Sequence, residues 1–190
     1  GQDDVDTLLA PVDLAAKIVE KYETSGDKRV LTEYLLTGCG CGGGASQGLK
    51  CDFEYWSYAG GRTTKVTESR KTGTSWTAHR IRYADMVLVG AAPAPGEPDG
   101  RGWYLLNDVV ADPSRSGMFW VTRYQRSTDG NDTVDRVYTP AAMASYTPAT
   151  SSTAPSYSAS SSVGLVYAYG YHDGAYVDEV RIRQGEAPGN

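Results

Sequence analysis

Most of this chain alternates apolar and polar residues instead of repeating them at a helical period, and this alternation limits the folds it can adopt. From Arg29 onward, segments rich in β-branched and aromatic residues are separated by Gly, Pro and Asp-Gly positions that favour turns. Such segments form antiparallel strands joined by short connections. We therefore predict a mainly β fold, an antiparallel β-sandwich or barrel.

The predicted strands differ in how much of each faces solvent. Residues 51–58 alternate so that Phe53 lies on one face and Trp56 on the other. Residues 62–69 are Thr-rich and mostly polar, which predicts an exposed strand. The predicted strands are residues 29–36, 51–58, 62–69, 75–90, 102–110, 117–126, 133–139, 163–171 and 176–183.

Only the N-terminal part of the chain shows a helical period. Leu14, Ile18, Val19 and Tyr22 follow one another at spacings of four, one and three, which places them on one stripe of a helix. Pro11 suits the first turn of such a helix. We predict one short helix over residues 11–23.

One long segment has the composition of a loop. Residues 139–162 are rich in Ser, Thr, Ala and Pro, which predicts a long surface loop. The roughly thirty residues after it are too few to fold alone, so we expect them to return to the sheet as two closing strands. The chain is therefore predicted to be a single domain over residues 1–190.

Charge and hydropathy argue against two kinds of partner. The formal net charge is −5 with acidic and basic residues scattered, so we expect no nucleic acid. The longest apolar runs, such as residues 86–92, are much shorter than the roughly 20 residues of a membrane-spanning helix, so we expect no membrane insertion. The chain starts at Gly1 without Met, which we interpret as a piece cut from a longer precursor or a mature chain.

The cysteines do not form a recognisable metal motif. Cys39, Cys41 and Cys51 lack the Cys-x-x-Cys spacing typical of zinc sites, and His79 and His172 are distant in sequence. We therefore expect no metal and no cofactor. A Cys39–Cys51 or a Cys41–Cys51 disulfide stays open, and an odd number of cysteines leaves one thiol over in either case.

Catalytic side chains are also not assembled by any motif. His79 lies in an alternating segment, and His172 lies in a turn that its Asp-Gly neighbours already explain. No Gly-x-Ser-x-Gly elbow is present. Asp178 and Glu179 are adjacent, so in a strand they point to opposite faces and cannot flank one substrate bond. We predict that the chain is not an enzyme.

The aromatic composition favours a contact surface. The chain has 14 Tyr and 4 Trp but only 2 Phe, and Tyr and Trp are enriched where proteins make contacts. An exposed sheet face that uses Tyr for its β propensity is the alternative.

The densest aromatic cluster is the first candidate for such contacts. Tyr167, Tyr169 and Tyr171 share one strand face by their two-residue spacing, and His172 and Asp173 follow in the turn. Packing at a dimer interface or beneath the Ser- and Thr-rich loop is the alternative for these tyrosines.

Further candidates lie in two other segments. Trp56 and Tyr58 lie on the strand face opposite Phe53, and Arg101 and Asp108 flank the Gly-Trp-Tyr-Leu-Leu segment.

The residues around this segment also suggest a family. "GWYLL", residues 102–106, is followed by Asn107, a short apolar piece and a Pro- and Gly-containing turn that leads to Trp120. This stretch of about twenty residues resembles the spike region of astrovirus capsid proteins, where human-type spikes carry a similar Gly-Gly-Trp-Tyr-Leu-Leu run. Within it, Trp103 and Trp120 are predicted to be core residues and the turn 112–117 to be outside.

The resemblance implies a non-catalytic capsid spike on the virion surface. Such spikes are antiparallel β domains that are cut from a polyprotein, form homodimers, attach the virus to a host-cell receptor of protein or glycan type, and are recognised by antibodies. The N-terminal helix, the Cys-Gly-rich segment and the Ser- and Thr-rich segment depart from the human-type pattern, which implies a divergent, avian-type lineage. Receptor-binding positions are therefore not carried over.

A second resemblance gives an alternative function. The ending "YVDEVRIR", residues 176–183, is similar to the last strand of laminin-G-like and related lectin sandwiches. It implies a secreted carbohydrate-binding module.

Overall fold

A computed structural model describes residues 17–25, 28–37, 48–90, 93–96, 101–127, 133–173 and 176–185. These residues are mainly β-strand, which confirms the mainly β prediction. The strands are β1 (Lys17–Ser25), β2 (Lys28–Thr37), β3 (Gly48–Tyr58), β4 (Gly61–Thr72), β5 (Ser75–Val89), β6 (Gly102–Ala111), β7 (Phe119–Arg126), β8 (Val134–Tyr138), β9 (Met143–Thr147), β10 (Ser156–Ala159), β11 (Leu165–His172) and β12 (Tyr176–Gln184). A short 3-10 helix, Pro140–Ala142, precedes β9.

The strands form one large and one small antiparallel sheet. The large sheet has the order β1-β2-β3-β4-β5-β6-β7-β8-β11-β12, and β9 pairs with β10 in the small one. Successive strands are neighbours except where the chain makes the β9–β10 hairpin between β8 and β11. In the described part of the chain β1 and β12 each pair on one side only, so the large sheet is open and the barrel prediction is wrong.

Two compact units divide these strands. One contains residues 1–53 and 67–79, and the other contains residues 54–66 and 80–190. We call the latter the C-terminal unit; it holds β6 to β12. β3, β4 and β5 each contribute residues to both units. The single-domain expectation stays a prediction.

The predicted helix over residues 11–23 is wrong where it can be compared. Residues 17–23 belong to β1, which pairs with β2 from Lys17 opposite Thr37 to Ser25 opposite Lys28. The β-branched pair Ile18-Val19 and the aromatic Tyr22 favour a strand, and an adjacent partner strand outweighs a short helical period. Residues 11–16 lie outside the described part.

The predicted surface loop 139–162 also contains regular structure. It forms the 3-10 helix and the β9–β10 hairpin, in which Tyr146 lies opposite Tyr157. Ala142, Tyr146 and Ala149 are buried, so the few apolar residues of this segment pack inward. Because Ser and Thr dominate the composition of this segment, its apolar contacts could not be predicted from composition.

The core of the C-terminal unit is small and rich in tyrosine. One cluster combines Tyr83, Val109, Ala111, Val121 and Tyr146, and a second combines Tyr138, Ala142 and Val166. The rings of Tyr83, Phe119 and Tyr146 lie at centroid distances of 5.2 to 6.4 Å, a range in which tilted and edge-to-face aromatic pairs are favourable.

Two burial predictions are wrong. The Thr-rich segment 62–69 is not an exposed strand, because β4 lies between β3 and β5 and buries Thr63, Glu68 and Ser69. Trp103 and Trp120 are not core residues, since about two-fifths of each side chain is exposed. The turn after β6 is largely exposed, as predicted.

Candidate binding surface

The two faces of the sheet in the C-terminal unit differ, and a row of paired residues identifies them. Asp85 lies opposite Asn107, Asn107 opposite Arg123, and Arg123 opposite Tyr138. Directly opposed residues of antiparallel strands project from the same face. We call this the covered face, because Tyr146 and Tyr157 of the β9–β10 hairpin contact it.

A buried polar network organises the covered face around Asp85. The Asp85 carboxylate is fully buried and accepts hydrogen bonds from Thr63 Oγ1 at 2.7 Å, Asn107 Nδ2 at 2.9 Å and Tyr146 Oη at 2.8 Å. Arg123 extends the network by donating to Asn107 Oδ1 at 3.3 Å. The Thr63 hydroxyl, the Asn107 amide and the Tyr146 hydroxyl therefore each have an acceptor, as buried polar groups usually do.

A β-bulge positions two of these partners. The β5–β6 register shifts between Asp85 and Met86, so that Asp85 opposes Asn107 while Met86 opposes Leu105. Leu106 is the extra residue of β6. Without the extra residue, Asn107 and Trp103 would project from the same face of the sheet. With it, they project from opposite faces.

The hairpin is attached to the covered face at two aromatic residues. Tyr146 of β9 reaches Asp85, and the Arg123 guanidinium lies 3.6 Å from the ring centroid of Tyr157 in β10. Such a cation–π contact stabilises a packed element. The hairpin and this network occupy the covered face, so the Asp85 carboxylate is inaccessible to a substrate.

Burial and the nearby Asp85 carboxylate raise the pKa of Tyr146 well above that of an ordinary phenol. In the unfolded chain this phenol loses its proton above about pH 10, whereas in the folded chain it stays protonated. The stability that this group contributes is therefore complete below pH 10 and declines above it, by up to about 1.4 kcal/mol per pH unit. We expect the decline in unfolding free energy between pH 10 and 11 to be shallower in Tyr146→Phe than in wild type, measured by urea denaturation. Equal slopes would contradict the assignment.

The opposite face of the same sheet carries both exposed tryptophans. Trp103 opposes Leu88, and Trp120 opposes Val110, which in turn opposes Arg82. We call this the tryptophan face and define it by Arg62, Arg82, Trp103, Asp108, Val110 and Trp120. Trp103 is 39% exposed and Trp120 is 40% exposed.

Charged groups lie beside these rings. The guanidinium of Arg62 lies 4.3 Å from the ring centroid of Trp103, and Arg62 Nη2 lies 3.7 Å from the sulfur of Met86. Arg82 Nη2 lies 3.5 Å from Asp108 Oδ1, and both side chains are substantially exposed. The face thus combines aromatic area with both signs of charge.

The tyrosines predicted for contacts lie farther along this sheet. Tyr167 opposes Val137 and Ile182, and Tyr169 opposes Val180. The Tyr171 hydroxyl donates to the Val134 carbonyl at 2.8 Å. All three tyrosines are half-buried by their neighbours, so they stabilise the sheet as well as contributing to its surface.

The turn after these tyrosines is exposed. His172 Nε2 lies 3.2 Å from Asp173 Oδ2, with about three-quarters or more of each side chain accessible. Asp173 adopts the left-handed region with φ 52°, which Asp tolerates better than most residues because its side chain can bond locally.

Trp56 and Tyr58 lie on the inner side of the sheet. Trp56 packs against the core cluster that contains Val109. The Tyr58 hydroxyl lies 3.3 Å from Thr63 Oγ1, and burial raises the pKa of Tyr58. The structure therefore separates this pair from the tryptophan face, whereas Asp108 lies on it.

Arg101 and Cys51 lie outside the tryptophan face. Arg101 is half-buried just before β6, where its backbone approaches Gly90. Cys51 lies in β3 opposite Tyr34. Cys39 and Cys41, the partners considered for a disulfide, lie outside the described residues.

Alternation along β6 and β7 indicates a surface position for Trp120, whereas Trp103 has the parity of Asn107 and reaches the same face only through the bulge at Leu106. Asn107, Val109 and Ala111 alternate with Asp108 and Val110 in β6. A polar Asp at one set of positions marks that set as the solvent side, and pairing then carries Trp120 to the same side.

The tryptophan face offers aromatic and charged groups that can contact a ligand. Within those residues, no three His, Cys, Asp or Glu side chains are grouped as metal ligands. None of the helical structure among them is long and apolar enough to cross a lipid bilayer. Comparison with protein-family models, with curated proteins and with solved structures gives no match for this chain.

Proposed function

We propose that this chain is a non-catalytic attachment domain on a virion surface, a capsid spike that binds a host-cell receptor through its tryptophan face. Antibody recognition and a homodimer belong to the same proposal. The resemblance of residues 102–120 to astrovirus spikes supports the viral assignment, and the fold agrees with it at the level of an antiparallel β domain.

The exposure of Trp103 and Trp120 is the observation that carries the proposal. Tryptophan is enriched where proteins contact one another, so two exposed tryptophans on one face of a regular sheet favour a contact surface. Trp and Arg are also among the residues that most often dominate binding energy. Trp buries a large rigid area, and Arg offers several hydrogen-bond donors in a fixed geometry. Both residue types occur together at Arg62 and Trp103.

A regular sheet is also a suitable support for such a surface. Val109 and Val121, which lie beneath the tryptophan face in β6 and β7, are almost fully buried. The backbone that carries Trp120 is therefore fixed by packing on the covered face, and little order has to be gained on binding. We further propose that the β9–β10 hairpin makes this region a two-layer sandwich.

A carbohydrate-binding module is the second candidate function. The observation that favours it is the same exposed Trp120 close to a strand pair that carries Arg82 and Asp108. Aromatic rings and paired polar groups are a combination that ligand sites use to fix orientation. In this alternative the chain is a secreted lectin-like module, and a glycan replaces the receptor.

Trp120→Ala tests whether the tryptophan face binds the ligand. Because truncating an aromatic residue at a binding hot spot typically costs about 2 kcal/mol or more, we expect binding to fall at least about tenfold. The wild-type chain and the variant would be compared on cultured avian and mammalian cells by flow cytometry and on an array of sialylated and neutral glycans. Cell binding without glycan binding would favour a protein receptor.

Tyr22→Ala is the matched control, since Tyr22 is 42% exposed and belongs to the other compact unit. We expect it to bind as the wild type does. Binding by Trp120→Ala equal to wild type, or a wild-type chain that binds neither cells nor glycans, would overturn the proposal.

A further inference from the structure

The last strand of the large sheet presents an edge to solvent. β12 pairs with β11 on one side, and no described strand lies on its other side. Four of its apolar side chains are at least half exposed: Tyr176 at 75%, Val177 at 50%, Val180 at 51% and Ile182 at 62%. An edge of this kind offers backbone N–H and C=O groups for pairing with another strand.

The charges along β12 are arranged in two halves of opposite sign. Asp178 and Glu179 form the acidic half, and Arg181 and Arg183 form the basic half, with Val180 between them. A strand with this pattern is complementary to its own reverse. A second copy that runs antiparallel therefore brings Glu179 of one copy to Arg181 of the other, while Asp178 faces Ile182.

We infer that β12 is a homodimer contact, in which two copies pair edge to edge about a two-fold axis at Val180. In this register Val180 opposes its own mate and Glu179 opposes Arg181 of the second copy, twice by symmetry. The two large sheets then continue across the contact as one antiparallel sheet, which satisfies the exposed edge.

Neighbouring registers are disfavoured by charge. A two-fold axis at Glu179 would place two Glu179 carboxylates opposite each other, and an axis at Ile182 would place Arg181 opposite Arg183. Like charges directly opposed across a strand pair are destabilising. An axis at Arg181 would oppose two Arg181 side chains. The Val180 register avoids each of these pairs.

Apolar contacts favour the same register. Val180 and Ile182 lie on one face of β12, beside Tyr169 and Tyr167 of β11. Pairing at Val180 brings the Val180 side chains of two copies together, with an Ile182 on each flank. Each Ile182 lies opposite Asp178 of the second copy, so the aliphatic contact is centred on Val180, whose burial supplies the hydrophobic part of the association.

The ion pair within each copy is already in place. Arg181 Nε donates to Glu179 Oε1 at 2.7 Å, and Arg181 Nη2 lies 2.7 Å from Glu179 Oε2. In the dimer the two pairs lie side by side and form a network of four charges. Networks stabilise more than isolated exposed pairs do, because each charge has two partners.

The contact is expected to be reversible. The bulge that leaves Asp178 without a β11 partner interrupts the regular edge, so regular pairing is centred on Glu179 to Arg181. Edge pairing over a few residues buries less area than a permanent interface. Sedimentation velocity over a series of concentrations should therefore show a monomer–dimer equilibrium for the wild-type chain.

Charge reversal tests the register. Glu179→Arg places Arg opposite Arg, and Arg181→Glu places Glu opposite Glu, so we expect each variant alone to dimerise at least about tenfold more weakly than wild type. An equimolar mixture of the two variants restores opposite charges at both positions. We expect the mixture to form a heterodimer with an affinity close to that of the wild-type homodimer.

Arg115→Glu is the control for Arg181→Glu, since it makes the same change of net charge at an exposed turn. It should dimerise as wild type does, and thermal unfolding should show that all variants are folded. A monomeric wild type, unchanged dimerisation of both single variants, or a mixture that stays monomeric would overturn the inference. The β12 inference rests on the homodimer in the proposed function. A monomeric chain that still binds cells would overturn the dimer contact and leave the attachment proposal standing.

Discussion

Asp85→Ala should destabilise the chain by about 3–5 kcal/mol, the largest effect expected for a single side chain here. Asp85 has no exposed area, and three hydrogen-bond donors converge on its carboxylate. Alanine removes the acceptor and leaves those donors behind. Thr63 and Asn107 are themselves at most 1% exposed, so water cannot readily replace the carboxylate.

The loss is large because the donors come from three different strands besides that of Asp85. Thr63 belongs to β4, Asn107 to β6 and Tyr146 to β9. Each unsatisfied buried donor costs about 1–3 kcal/mol. Removing the carboxylate therefore weakens the attachment of the β9–β10 hairpin as well as the pairing in the sheet.

Asp108→Ala is the matched control for this substitution. Asp108 follows Asn107 in the same strand but points to the tryptophan face, where its side chain is 38% exposed and lies 3.5 Å from an Arg82 nitrogen. An exposed pair of this kind contributes about 0–1 kcal/mol.

Urea denaturation and thermal unfolding would compare the two variants with wild type. For a chain of this length, the Asp85 change should lower Tm by roughly 10 °C. If Asp85→Ala were as stable as Asp108→Ala, the buried network around Asp85 would not exist as described.

The strands could be predicted from the sequence because their signal is local. The segments 102–110 and 117–126 became β6 and β7 with nearly the predicted limits. The long segment 75–90 became the 15-residue strand β5. Alternation and β-branched residues are properties of each segment alone, so no knowledge of its partners was needed.

Burial was harder to predict because it depends on neighbours. The Thr-rich β4 is polar, yet it lies between two strands and supplies Thr63 to a buried carboxylate. Trp103 and Trp120 are apolar, yet the register places them on the side of Asp108 and Arg82. Neither outcome follows from composition, because pairing decides which face a residue occupies.

The face that each candidate residue occupies also depends on pairing. Asp108 was placed on a contact surface from its position beside the Gly-Trp-Tyr-Leu-Leu segment, and it lies on the tryptophan face. Trp56 and Tyr58 were placed on the face opposite Phe53, but that face is directed to the core. The alternation of a segment assigns its residues to two faces of the strand. It does not show which of the two faces packs against another layer.

Gly164→Ala should destabilise the chain by about 2–5 kcal/mol, through two separate effects. Gly164 adopts φ 80°, and a left-handed conformation costs an alanine about 1–2 kcal/mol. A β-carbon would also lie in contact with the backbone nitrogen and α-carbon of Ala142, nearer than real β-carbons approach. Because backbone atoms cannot rotate away, the chain must shift, which adds a packing cost of about 1–3 kcal/mol.

The shift would reach both ends of the β9–β10 hairpin. The Gly164 carbonyl accepts a hydrogen bond from Gly185 N at 2.9 Å, and the Ala142 carbonyl accepts one from Ser160 N at 2.7 Å. Moving Gly164 away from Ala142 strains both bonds. Ala142 is fully buried, so the disturbance reaches the cluster that contains Tyr138 and Val166.

Gly117→Ala separates the two effects. Gly117 has a similar φ of 77°, but a β-carbon there would meet nothing within 4 Å. It should therefore show the conformational cost alone, about 1–2 kcal/mol, and the difference between the two variants measures the contact with Ala142. Unfolding free energies from urea denaturation would give both values. Equal losses would mean that Gly164 does not pack against the Ala142 backbone and that the hairpin is attached mainly through Tyr146 and Tyr157.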